Sequence, residues 1–164
     1  MGLSNLGIFH TIVGVAAIVG AIIDYARYGK INLDSYFGKI YWYGTLITSL
    51  TALGLSSIKG INPGHILALL IIILITIAGY LYYKKKGYIK ARFVENFFLS
   101  FSFFLSLIPT VNETFNRIPV SHPLANGPQD PLIKNTLLIL FVVFIIGSVF
   151  QFKKQKQSNK LAAQ

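Results

Sequence analysis

Residues 60 to 92 read GINPGHILALLIIILITIAGYLYYKKKGYIKAR. The first 24 of them, Gly60 to Tyr83, contain no Asp, Glu, Lys or Arg, and the nine that follow contain five basic residues. About 20 apolar residues suffice for a helix to cross the roughly 30 Å of hydrocarbon in a bilayer, so this stretch predicts a membrane span that starts at N-P-G and ends at a basic loop.

Four further runs free of Asp, Glu, Lys and Arg lie on either side: Met1 to Ile23, Ile40 to Ile58, Asn96 to Asn112 and Asn135 to Phe152, of 23, 19, 17 and 18 residues. The fourth run in chain order extends back to Phe93 and forward to Arg117, whose long side chain reaches the headgroups. The expectation is an all-α polytopic membrane protein, a five-helix transmembrane bundle. It has one transmembrane domain over residues 1–152, with spans at about 3–25, 38–58, 63–83, 93–117 and 134–152, and a basic tail over 153–164 that frays in solvent.

Composition agrees. The 164 residues are 54% apolar and 12% charged, with a mean hydropathy of +0.61. A soluble domain carries about a quarter of its residues as charges. Zero cysteine excludes disulfide frameworks, thiolate-ligated zinc, iron–sulfur clusters and thiol catalysis. The net charge of +10 suggests nucleic acid only until the charges are placed. Arg27, Lys30, Lys39, Lys84, Lys85, Lys86, Lys90, Arg92, Lys153, Lys154, Lys156 and Lys160 fall on one side of the spans, and Lys59, Arg117 and Lys134 on the other. The positive-inside rule then sets the N-terminus outside and the C-terminus in the cytoplasm of a multi-pass protein in the cell (plasma or inner) membrane. The basic residues face anionic lipid, and no nucleic-acid partner is expected.

Polar residues inside a membrane bundle carry the most information, because each must find a partner there. Most lie toward the outer end. His10 is in the first span, His65 opens the third, and the stretch PTVNETFNRIPVSHPL, residues 109–124, supplies Asn112, Glu113, Asn116, Arg117 and His122. Glu113 and Arg117, four apart on a helix, suit an ion pair; Asn112 and Asn116 share a face. Pro109 cannot donate to the carbonyl of Leu105, so a bend below this cluster is a route to a pocket. Two readings stand side by side: an Arg–Glu clamp with capping asparagines, or an outer-side ligand pocket lined by His10, His65, Asn112, Glu113, Asn116, Arg117 and His122. Imidazoles ligate iron and divalent metals, so His10 with His65 forms an axial pair for haem b in one version, with Arg117 at a propionate. In another, His10, His65, Glu113 and His122 hold a divalent metal ion. No compact metal-binding spacing, nucleophile elbow, phosphate loop or nucleotide fingerprint occurs.

On the inner side, Asp24 is the deepest acid, a proton or cation relay candidate or else a partner for Lys39 or Arg92. Arg92 and Glu95, three apart, suit a local ion pair. Tyr36, Tyr41, Trp42, Tyr43, Tyr80, Tyr82, Tyr83 and Tyr88 read as interfacial belts, the phenylalanines of residues 97–104 as packing, and Gly7, Gly14 and Gly20 as places of close helix approach.

The first-span histidine in G-I-F-H-T-I-V-G, the F-G-K-I-Y of residues 37–41 and the P-G-H of residues 63–65 resemble features of the DUF2306 group of small membrane proteins over roughly residues 5 to 118. Members of that group commonly carry a His–Arg pair just before the second-span glycine, where this chain has Tyr36 and Phe37. The resemblance implies a membrane bundle and brings no activity with it. Three functions follow: binding of haem, a metal or a small molecule with an electron-transfer role; small proton-coupled or cation transport; or an accessory subunit without catalysis, in an oligomer or with a partner membrane subunit.

Overall fold

The computed structural model describes residues 4–55 and 62–161. Within them are five helices: α1 (Asn5–Tyr28), α2 (Tyr36–Ala52), α3 (Pro63–Lys84), α4 (Ile89–Arg117) and α5 (Pro131–Leu161). The described chain is all-helical, and four of the five helices, α1, α3, α4 and α5, are long and apolar enough to cross a membrane. The 17 residues of α2 rise roughly 26 Å, slightly less than the hydrocarbon thickness. The expected second span reached residue 58, and its last part, residues 56–58, lies outside the described residues.

Local chemistry sets the helix ends. Ser4, Ser35 and Asn62 each cap a helix by accepting from the backbone N–H three residues on, which satisfies one of the amides that a first turn leaves free. Asp130 serves α5 by accepting from Leu132 N, and Pro131 takes the first helical position, where no amide hydrogen is needed. Gly29 ends α1 in a left-handed conformation at φ 70°, with its N–H on the Tyr25 carbonyl.

Consecutive helices pack side by side. In the α1–α2 pair, His10 meets Thr51, Gly14 meets Thr48, Ala17 meets Gly44 and Asp24 meets Gly38, a register that holds the two antiparallel along the length of α2. Small residues permit the approach: a methyl group on Gly44 would lie 2.9 Å from the Ala17 Cβ. α2 joins α3 through Trp42, whose ring covers the bare backbone of Gly79 while its indole N–H donates to the Ile75 carbonyl at 2.8 Å. α4 lies against α3 around Ile71, Leu74, Ile75 and Leu105, and reaches α2 where the Tyr41 hydroxyl meets Ser102 Oγ at 2.7 Å. α5 packs on α4 through Phe97, Phe101, Phe104, Phe141 and Phe144.

Three expectations change here. Tyr41 is fully buried rather than a belt residue, because its hydroxyl has a partner inside the bundle. Trp42 likewise serves the α2–α3 contact. The tail does not fray at Phe152: α5 runs on to Leu161, held by side chains described next.

Candidate functional site

At the end of the bundle that holds the α1–α2 loop, polar side chains are buried by four helices. Asp24, 0% exposed, accepts from Asn32 N at 2.8 Å and from the Ser35 hydroxyl at 2.6 Å, so its carboxylate staples the loop that leads into α2. This replaces the expected pairing with Lys39 or Arg92. Ile31 and Leu33 plug the core behind it. The loop continues outward through Asp34, which accepts from the Tyr82 hydroxyl at 2.7 Å and pairs with Lys86 at 2.6 Å. Lys86 and Tyr82, as donors, hold the Asp34 carboxyl below the usual carboxylate range. Burial pushes the Lys30 ammonium down, with the nearby Arg92 guanidinium adding to it.

The start of α4 completes this end. Glu95, 1% exposed, pairs with Arg92 at 2.6 Å, the ion pair that their spacing predicts. One residue on, Asn96 is 5% exposed and donates through Nδ2 to Gln155 Oε1 of α5. Ser100 donates to Gln151 Oε1 at 3.0 Å, and the phenol of Tyr25 adjoins both. Two amide-bearing rungs thus clip α5 to α4, at spacings of four along each helix.

Two clefts flank these rungs. One, of about 460 Å³, lies between α4 and α5 and is lined by Phe93, Asn96, Phe97, Ser148, Phe152, Lys153 and Gln155, among others. The other, of about 360 Å³, lies between α1, α4 and α5, where Tyr25, Ser100, Phe103, Phe144, Gly147 and Gln151 contribute. Both fall in the size range of small-molecule sites. Asn96 Oδ1 and Ser148 Oγ, which line the first, are buried without a hydrogen-bond partner among the described residues. An orphaned polar atom in an apolar surround costs roughly 1–3 kcal/mol, a cost that any hydrogen-bonding group entering the cleft relieves.

The residues expected at the outer end are arranged differently. His10 Nδ1 is 3.0 Å from Thr51 Oγ1, within the α1–α2 seam. His65 sits in the first turn of α3, and its backbone N–H is capped by Asn62 Oδ1. α2 packs between α1 and α3, the helices that carry these two histidines. His65 Nε2 is buried without a partner among the described residues. Glu113 and Arg117 pair at 2.5 Å with both side chains more than half exposed. Asn116 donates to the Asn112 carbonyl and side chain, and its own Oδ1 takes the Gly127 N–H at 2.6 Å, which pins the α4–α5 loop. His122 is exposed in that loop. This matches the clamp-and-cap reading of residues 109–124. Pro109 is accommodated within an unbroken α4, and neither cleft reaches it. Among the described residues, no three His, Cys, Asp or Glu side chains come close enough to hold a metal ion.

Ser148, Gln151 and Gln155 were not among the residues that the sequence singled out. Their signal is a polar stripe at helical spacing on an otherwise apolar helix, matched by Asn96 and Ser100 four apart on α4. No family model, curated protein or solved structure matches the chain.

Proposed function

We propose that the chain is a five-span integral membrane protein, N-terminus outside and C-terminus cytoplasmic, that binds a small amphiphilic molecule in the cleft between α4 and α5. The observation that carries this reading is Asn96: more than nine-tenths buried, committed to Gln155 through one side-chain atom, and left with an unpartnered carbonyl oxygen at the cleft. The pairing of α2 with α1 along its length supports the fifth span, and the twelve-to-three distribution of Lys and Arg supports the orientation. The site belongs to the inner half of the bundle rather than to the outer cluster, where charge and amide groups already satisfy one another.

Native mass spectrometry of the protein purified in mild detergent tests the reading. The expected result is a retained small molecule in the wild type and its loss in Ser148→Phe, which fills the cleft from α5. A bare wild-type mass from folded protein would contradict it.

A second reading, haem binding with an electron-transfer role, has the orphaned His65 Nε2 in its favour. Oxidised and reduced absorption spectra of protein from cells supplied with a haem precursor decide it. A near-stoichiometric Soret band that shifts on reduction and disappears in His65→Ala is the result it requires.

A further inference from the structure

The α4–α5 cleft lies where α5 changes character. Its apolar run ends at Phe152, and Lys153, Lys154 and Lys156 follow at once. That boundary is the level at which acyl chains give way to headgroups. The lining follows the same order. Ser148, Val149 and Phe97 form the deep end, Phe93 and Phe152 give apolar walls, and Lys153, Asn96 and Gln155 form the shallow end. Phe152 is 55% exposed, so this wall of the cleft lies at the outer surface of the bundle.

Resting on the binding site proposed above, we propose that the occupant is one anionic phospholipid of the leaflet on the C-terminal side, with a headgroup that carries a hydrogen-bond donor. The orphaned atoms choose this chemistry. Asn96 Oδ1 is an acceptor and needs a donor, which a headgroup hydroxyl or primary ammonium supplies and a choline cannot. The hydroxyl of Ser148, deeper in the cleft, donates to a glycerol-ester carbonyl, an acceptor every diacyl lipid places at that depth. Lys153 meets the phosphate at the mouth, and the amide hydrogens of Gln155, whose oxygen is held by Asn96, are left to serve the same group. The cleft receives the headgroup and glycerol, and the chains stay in the bilayer.

The full chain in mild detergent, offered phosphatidylglycerol and phosphatidylcholine in equal amounts, is read by native mass spectrometry. One phosphatidylglycerol per chain is expected, preferred by about fivefold or more, the factor that one Lys at a membrane surface contributes. Lys153→Gln is expected to remove most of that preference, Ser148→Phe to remove the lipid, and Lys90→Gln, outside the cleft lining, to leave both intact. Far-UV circular dichroism confirms that each variant is folded. Phosphatidylcholine retained equally well, and lost in Ser148→Phe, would overturn the anionic-lipid assignment while leaving a small-molecule site. A folded wild type that retains neither lipid nor any other small molecule would overturn both.

Discussion

Asn96 of α4 donates to Gln155 of α5 at a point beyond the apolar run of α5, so a buried amide holds the basic end of the last helix against the bundle. Together with the Ser100–Gln151 bond one turn away, it explains why α5 stays helical where lysines dominate its sequence. Replacement of Gln155 by Ala removes this rung and leaves the Asn96 amide without its acceptor on α5. The C-terminal turns of α5 are then expected to exchange amide hydrogens faster, while α1 to α3 are unchanged. Hydrogen exchange with peptide-level readout checks it; uniform protection in wild type and variant would show that the rung does not hold the tail.

Asp24 has a structural task, the stapling of residues 32–35 into the entry of α2. Asp24→Ala strands the Asn32 N–H and the Ser35 hydroxyl, a loss of about 2–4 kcal/mol for two bonds to a charged acceptor. Thermal unfolding in detergent is expected to show a clear drop in Tm, and Asp24→Asn a smaller one because one acceptor oxygen survives. Equal stability of wild type and Asp24→Ala would remove the staple and return Asp24 to the relay reading.

Gly79 lies beneath the Trp42 ring, where an added methyl group would be 2.7 Å from Cζ2. Gly79→Ala therefore separates α2 from α3 and loosens the indole bond to Ile75, at a cost of about 1–3 kcal/mol. Gly87→Ala, which meets nothing within 4 Å, is the matched control and is expected to be neutral. Quenching of the single tryptophan by a lipid-soluble agent reports the separation directly.

The Asp34 carboxyl is depressed by its bonds from Lys86 and Tyr82. A depressed acid stabilises the fold above its unfolded value and loses that contribution as pH falls through its folded value. The strap from the α1–α2 loop to α3 is thus intact at neutral pH and weakens below roughly pH 4. Asp34→Asn is expected to flatten the acid limb of the Tm profile; an unchanged limb would exclude Asp34 as its source.

The helices were legible because hydrophobic run length and basic loops are local properties. So was the Arg92–Glu95 pair, whose partners are three residues apart. The cleft was harder to see. Asn96 and Gln155 are 59 residues apart, and nothing in either segment specifies that α4 and α5 are neighbours. Tyr41 shows the same limit: beside Trp42 and Tyr43 it looks like a belt residue, and only the approach of Ser102 makes it core. In the stretch of residues 109–124 the reverse holds, since the ion pair and the Asn116 bonds are formed within a few turns of one helix and its loop.

The proposed orientation puts the α4–α5 cleft in the cytoplasmic leaflet, and the chain has no cysteine to obscure a labelling experiment. Single cysteines at Ser4, Tyr36, Gly64, Gly87, Ser121 and Ser158, probed in intact cells with a membrane-impermeant maleimide, test the five-span topology on both sides. Labelling of Ser4→Cys, Gly64→Cys and Ser121→Cys is expected from outside, and of Tyr36→Cys, Gly87→Cys and Ser158→Cys only after permeabilisation. Labelling of Tyr36→Cys and Gly64→Cys from the same side would show that α2 does not cross, and labelling of Ser158→Cys in intact cells would contradict the orientation.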